Sequence, residues 1–158
     1  MTTTITGAAG INRVADGADM PAGSVIQVVQ GVDNARVTIS ATSYTGGLVS
    51  ANITPSSASS KILVHLNFGG NDNTTGDISA YITIYRDSTN IGHSSHGFAK
   101  MRSTNSRVES MGSIMYLDSP STGSAITYSM YAKVSSGAFE FPGAPGLPTT
   151  ITLMEIAG

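Results

Sequence analysis

Residues 61–68 of this 158-residue chain read KILVHLNF. The residues of one parity are the apolar Ile62, Val64, Leu66 and Phe68. The other parity carries the polar residues Lys61, His65 and Asn67. A period of two is typical of a strand that turns one face to a core and the other to water. This stretch therefore predicts a core strand of an all-β protein.

The same period recurs along the chain, and no comparable helical pattern accompanies it. It is clear in residues 78–86, 108–117, 125–134 and 149–156, and further strand signals cover residues 24–30, 35–40, 48–53 and 138–141. Turns rich in Ser, Gly, Asn and Pro separate these segments. Eight or nine strands at this spacing predict an antiparallel β-sandwich or jelly roll over residues 24–158.

Three segments between these strands carry predictions of their own. Residues 69–76, GGNDNTTG, are predicted to form a loop because a sheet interior does not accept so many polar groups. Residues 87–90 are rich in turn formers, so residues 91–98 are predicted to be the return strand of a hairpin. Residues 99–107 contain Lys100, Arg102 and Arg107 and are predicted to form a polar loop.

The composition argues against several functional classes. Only 11% of the residues are charged and the net charge is −2, so no basic surface is expected to attract nucleic acid or an anionic membrane. The chain has no cysteine, which excludes disulfides and thiolate metal sites. The N-terminus lacks the features of a secretory signal, which predicts a protein made in the cytoplasm. A surface with so few charges suits a protein that packs against its own copies or a partner.

Residues 1–23 differ from the rest of the chain. They are rich in Thr, Gly and Ala and show no sustained periodicity, which predicts an extended N-terminal arm. Its scattered apolar residues, Ile5, Ile11, Val14 and Met20, are candidate anchors for a partner. The alternative is a frayed terminus.

No catalytic or metal-binding pattern rises above chance. His93 and His96 are the only close pair of candidate ligands, and residues three apart on a strand point to opposite faces. Residues 71–77 are rich in Asn and Asp but lack the spacing of an EF-hand loop. No nucleophile elbow occurs. We therefore predict no enzyme activity, no cofactor and no metal, and two ordinary surface histidines.

Two tyrosines are candidate contact residues. Tyr81 and Tyr85 have the parity opposite to that of the isoleucines in residues 78–84, so they are predicted to face outward if the isoleucines face the core. An exposed tyrosine stripe suits contact with sugars or a second subunit. The alternative is that the chain itself covers this sheet on both faces. Four methionines could line the same interface, although methionine more often fills gaps in a core: Met101, Met111, Met115 and Met130.

Two parts of the chain resemble the β-domains of tailed-bacteriophage structural proteins, especially those of phages of marine bacteria. The first is MPAGSVIQVV at residues 20–29. The second comprises KILV at 61–64, IYRD at 84–87, LDSPSTGSAITY at 117–128 and TITLMEI at 150–156. The resemblance implies a virion structural protein, a jelly-roll sandwich similar to the C1q/tumour-necrosis-factor type, and a homotrimer. It carries over no functional residue.

The resemblance leads to two functional expectations. The first is a capsid decoration or cement protein that binds the major capsid protein, with the arm reaching over neighbouring coat subunits. The alternative is a tail or fibre-tip protein that binds a host receptor or glycan. Only about 23 residues precede the β-domain, too few for the shaft of a full tail fibre. Either function places the protein in the virion after synthesis in the host cytoplasm.

Overall fold

The computed structural model describes residues 20–72, 76–104 and 108–158, which form eleven strands and no helix. Eight principal strands are β1 (Val25–Asp33), β3 (Ser50–Ile53), β4 (Lys61–Asp72), β5 (Asp77–Arg86), β7 (Ala99–Thr104), β8 (Val108–Asp118), β9 (Ile126–Val134) and β11 (Thr149–Ile156). Three shorter strands are β2 (Val37–Ile39), β6 (Thr89–Asn90) and β10 (Phe139–Phe141). The expected count of eight or nine strands was too low, because periodicity does not reveal pairings of two or three residues.

The strands form two antiparallel sheets in jelly-roll order. The principal strands of sheet A run β1-β11-β4-β8, and β10 and β2 extend that sheet beside the end of β4. The principal strands of sheet B run β3-β9-β5-β7, with β6 beside β5. This order, in which connections repeatedly cross between the two sheets, is that of a jelly roll. The predicted antiparallel sandwich or jelly roll is confirmed, and the finer likeness to the C1q type stays a prediction.

The core lies between the sheets and is built from one parity of each strand. On β4, Ile62, Val64 and Leu66 are fully buried, as the alternation predicts. On β5, Ile82 and Ile84 face them from the second sheet and are also fully buried. Each such aliphatic side chain contributes about 1.5–3 kcal/mol on leaving water. The largest aromatic members are Phe68, Tyr128, Phe139 and Phe141.

Strand β4 continues past Phe68, so the predicted loop at residues 69–76 was wrong over its first four residues. Gly69–Gly70 extend the strand because they have no side chain to displace their neighbours. A Cβ at Gly70 would lie 2.4 Å from the ring of Phe139. Asn71 and Asp72 are fully buried where β8 and β10 flank the strand. Polar composition therefore misled, because the backbones of both residues pair with strands on both sides.

The predictions for residues 91–98 and 99–104 were also wrong, and residues 105–107 lie outside the described part of the chain. Residues 99–104 form β7, an edge strand whose Lys100 and Arg102 share the exposed parity while Met101 and Ser103 are buried. Charged outward residues are common on edge strands because they discourage further pairing. Of residues 87–98, only those of β6 form a strand beside β5, and residues 91–98 form a turn in which the Gly97 amide donates to the His93 carbonyl at 2.8 Å.

A buried polar cluster connects the two sheets at the end of β8. Asp118 accepts a hydrogen bond from the Tyr128 hydroxyl at 2.6 Å and an ion pair from Arg86 at 2.9 Å. Burial and the bond to Asp118 raise the pKa of Tyr128 far above its ordinary value of 10.0. The phenol therefore stays protonated at neutral pH and donates to Asp118.

A second polar cluster fastens β1 and the loop after β3 to the C-terminal strand. The fully buried Glu155 accepts hydrogen bonds from the Gln27 side-chain amide at 2.6 Å and from both the amide and the hydroxyl of Ser56 at 2.7 Å. Burial by itself would raise the pKa of Glu155, but the bonds from Gln27 and Ser56 lower it below 4.5. The carboxylate is therefore charged in the folded state at neutral pH.

The end of the predicted arm joins the fold next to the C-terminus. The Gly23 amide donates to the Ala157 carbonyl, and the Ala157 amide donates to the Ser24 carbonyl, both at 2.8 Å. Residues 1–19 lie outside the described part of the chain. β1 begins at Val25, and the domain boundary predicted after residue 23 stays a prediction.

Replacement of Tyr128 by Phe should lower the free energy of unfolding by about 1–2 kcal/mol, because Asp118 loses one of its two buried partners. Urea denaturation followed by circular dichroism measures the change. The control is Tyr116→Phe, at a half-buried position on β8. Equal stability of the two variants would contradict a stabilising role for the cluster.

The stability of the protein should depend on Glu155 below about pH 4.5. Because the pKa of Glu155 is lower in the folded state than the ordinary 4.5, the unfolded chain binds its proton more tightly. The stability that the charged Glu155 carboxylate contributes is present above pH 4.5. It is lost as the pH falls through the pKa that Glu155 has in the folded state.

Glu155→Gln should therefore be less stable than the wild type at pH 7 by about 1–2 kcal/mol. The difference should narrow on acidification, as measured by urea denaturation at a series of pH values. Glu109→Gln, at an exposed position, should show no such convergence. A difference for Glu155→Gln that stays constant down to pH 3 would refute the assignment.

Candidate interaction surfaces

Sheet A presents a row of apolar side chains on its outer side. Met154 lies opposite Val28 on one neighbouring strand and opposite Leu63 on the other, and Leu63 lies opposite Leu117. Directly paired residues share a face of a sheet. This row therefore crosses all four principal strands of sheet A.

Further apolar residues extend the row into a surface. We call it the aliphatic face, and it consists of Val28, Val32, Leu63, Met111, Met115, Leu117 and Met154. Met111 is 77% exposed and Met115 is 66% exposed, while Val28 and Val32 are more than half exposed. Scattered exposed apolar residues are ordinary, but seven on one outer face, four of them in a single row across the sheet, are typical of an interaction site.

The charges of this surface lie at its two ends. Lys61 precedes Leu63 on the outward parity of β4, and Glu109 precedes Met111 on the outward parity of β8. Between them the polar residues include no Lys, Arg, Asp or Glu. His65 is one of these polar residues, and its Nε2 lies 3.0 Å from the Ser113 hydroxyl. The surface as a whole is formally neutral.

A shallow hollow adjoins the aliphatic face at the Met111 end. It has a volume of about 200 Å³ and is lined by Gly69, Gly70, Gly143 and Leu147 together with Met111. It exists because two glycines of β4 leave space beside the loop of residues 142–148. A hollow next to protruding methionines gives the surface relief that another protein surface can interlock with.

The outer side of sheet B carries a cluster of aromatic residues. The rings of Tyr85 and Tyr131 are stacked with centroids 3.9 Å apart, and Tyr44 meets Tyr85 edge-on at 6.4 Å. Lys133 lies over the Tyr44 ring, with Nζ 4.6 Å from its centroid. Tyr81 contacts His96 at 5.6 Å between ring centroids. We call these residues the tyrosine cluster.

Two segments of the same chain fold over the tyrosine cluster. Thr45 bridges to Ala132, which brings Tyr44 onto the sheet. Residues 91–98 cover Thr83, which points outward yet is fully buried and donates to the Asn90 side chain at 2.6 Å. The pKa of Tyr44 is raised mainly by burial and to a smaller extent by the nearby Tyr85 and Tyr81, so its phenol stays neutral at neutral pH.

The predicted contact residues have different placements. Tyr81 and Tyr85 point outward, as their parity predicts, but both are half-buried among residues of their own chain. Their contact with a partner stays a prediction. Met20 is half-buried beside the start of β1, whereas Ile5, Ile11 and Val14 lie outside the described residues.

The methionines predicted to lie together are divided between the sheets. Met101 and Met130 belong to the core, whereas Met111 and Met115 are on the aliphatic face of the opposite sheet from the tyrosines. The sequence contained a signal for this face, because Met111, Met115 and Leu117 share one parity of β8. It was missed because the interpretation assigned methionine to core gaps.

The two histidines of residues 93–96 are exposed, and their ring centroids lie 5.1 Å apart. Nδ1 of His93 accepts hydrogen bonds from the amides of Ser95 and His96, both at 3.2 Å, which gives it a role in the turn. Residues 20–72, 76–104 and 108–158 contain no group of three or more potential metal ligands and no helix long and apolar enough to cross a membrane.

No protein-family model matches the chain, and no curated protein sequence matches it. Two solved structures resemble it in fold. A point mutant of the VP2 protein of infectious bursal disease virus, in derived T=1 particles, has a TM-score of 0.43 and 13% identity over 84% of this chain and 36% of that chain. The structure of the Gx strain of infectious bursal disease virus has a TM-score of 0.38 and 13% identity, covering 87% and 39%. This chain thus spans less than two fifths of each of those chains.

The stability of the protein should not depend on a metal bound at the exposed His93 and His96. Addition of EDTA should leave the melting temperature unchanged, and replacement of His96 by Ala should change the free energy of unfolding by no more than about 0.5 kcal/mol. Differential scanning calorimetry with and without EDTA measures both effects. A fall of several degrees in EDTA would show that a metal site had been overlooked.

Proposed function

We propose that this protein is a virion structural protein of a tailed bacteriophage, and that it decorates and cements the outer surface of the head as a homotrimer. The observation that carries the proposal is the aliphatic face, an apolar surface that the described part of the chain leaves open to water. A β-sandwich with such a surface suits a role in which another protein covers it. The phage resemblance of residues 20–29 and 61–156 supplies the biological setting.

The proposed partner is the major capsid protein, and the proposed attachment element is the arm of residues 1–23. Ile5, Ile11 and Val14 would bury apolar surface on the coat, each contributing about 1.5–3 kcal/mol if fully buried. Many copies on a symmetric shell turn such modest contacts into strong total attachment. Cementing follows when an arm spans two coat subunits.

A second candidate function is host recognition at a tail or fibre tip, and the tyrosine cluster favours it. Tyr81 and Tyr85 are half-exposed, and Lys100 has its Nζ 5.4 Å from the Tyr81 centroid. Aromatic rings beside hydrogen-bond donors suit the apolar faces and hydroxyls of a sugar. Copy number separates the two functions, since a head is decorated by hundreds of copies and a tail carries at most a few dozen. Quantitative mass spectrometry of purified particles provides that number.

Deletion of residues 2–19 tests the proposed attachment directly. The truncated protein should keep the melting temperature of the full chain, because the described core contains none of these residues, and it should lose most of its co-sedimentation with particles that lack the native copy. Unfolding of the truncated protein would place the arm in the core or the trimer seam. Undiminished sedimentation would show that the sandwich itself attaches.

A further inference from the structure

We infer that the aliphatic face is the surface through which copies of this chain associate, so that its occupant is a second copy. The inference rests on the proposed function, because decoration of a phage head brings several copies of the protein together. It differs from the expectation that the tyrosines form the subunit interface. Three properties of the face support it: its openness, its size and its charge.

Openness distinguishes the two outer faces of the sandwich. Residues 41–47 and 91–98 cover much of the tyrosine cluster, and the aromatic rings there contact one another and Lys133. On sheet A, by contrast, Met111 and Met115 are 77% and 66% exposed. A second subunit would remove far more apolar surface from water at the aliphatic face than at the tyrosine cluster.

The size of the face fits the centre of a subunit interface. Four strands spaced ~4.8 Å apart and seven residues at ~3.3 Å each give a projected area of roughly 19 by 23 Å. That is the scale of an apolar interface core within a standard contact of ~800 Å² per partner. Gln30, Asn67 and Thr150 lie among the apolar residues and provide polar groups for hydrogen bonds across the contact.

The charge distribution allows the face to lie against another copy of the chain. Its interior carries no formal charge, and Lys61 and Glu109 at its ends have opposite signs. Two copies can therefore approach without net like-charge repulsion, whereas a strongly basic or acidic partner would gain no attraction here.

The edge strand β8 is a further reason to expect that another copy covers this side of the sheet. It is long, it carries neither Lys nor Pro, and it pairs only with β4 within residues 20–72, 76–104 and 108–158. Lys and Pro are the residues that usually protect an edge strand from pairing with another chain.

The inference is tested with Met115→Lys and Met111→Lys in the full-length protein. The control is Ser94→Lys, which places the same charge at an exposed position outside the aliphatic face. Both methionine side chains are largely exposed, so the substitutions should preserve the fold, as circular dichroism verifies. Light scattering and sedimentation equilibrium then give the mass and the association constant.

The wild type and Ser94→Lys should have a mass of three times 16.2 kDa. The two methionine variants should be monomeric at micromolar concentration, with association weakened by roughly 100-fold or more, the effect of disrupting an interface hot spot. A wild-type dimer that either substitution dissociates would support the surface and overturn the trimer. A wild-type monomer, or an oligomer unaffected by both substitutions, would overturn the inference.

Co-sedimentation with particles separates this inference from the proposed function. If Met115→Lys dissociates the oligomer and the wild-type oligomer does not bind particles, the self-association surface stands and the decoration role fails. If the wild type is monomeric, and Met115→Lys abolishes particle binding while Ser94→Lys does not, the coat covers the face and the self-association inference fails.

Discussion

The pairing of β4 is the constraint on which the rest of the structure depends. Its residues 62–72 pair with β8 on one side, while β11 and then β10 pair along the other. One parity of this strand forms the centre of the core through Ile62, Val64 and Leu66. The other parity carries Leu63 of the aliphatic face. A single register therefore determines both the interior of the sandwich and its most apolar outer surface, so a slip by one residue would exchange the two.

The polar clusters fix this register and the packing of the sheets. Asp118 at the end of β8 meets Arg86 and Tyr128 from sheet B, so the strand carrying Met111 and Met115 is tied across the core. Glu155 fastens β11 to Gln27 of the neighbouring β1 and to Ser56 of the loop after β3. Both clusters lie at the end of sheet A that contains Lys61. They therefore hold the strands of the aliphatic face in place at that end.

Much of the fold could be predicted from period and turn chemistry, and the errors have physical causes. Residues 69–72 and 99–104 were assigned to loops by polar composition, although Lys100 and Arg102 share one parity and Gly69–Gly70 fit a crowded sheet. Which outer face remains open could not be predicted, because it depends on where residues 41–47 and 91–98 fold back. Tyr81 and Tyr85 were therefore predicted as contact residues, whereas the exposed face that contains Met111, Met115 and Leu117 was not predicted.

Methionine oxidation tests most directly whether the aliphatic face is covered in the assembled state. Dilute hydrogen peroxide converts accessible methionines to sulfoxides, which peptide mass spectrometry locates. In the assembled protein, Met111 and Met115 should oxidise as slowly as the buried Met130, and they should become the fastest sites when dilution separates the copies. Rapid oxidation of Met111 and Met115 in the intact assembly and on particles would contradict the account, because it would show that no partner covers the face.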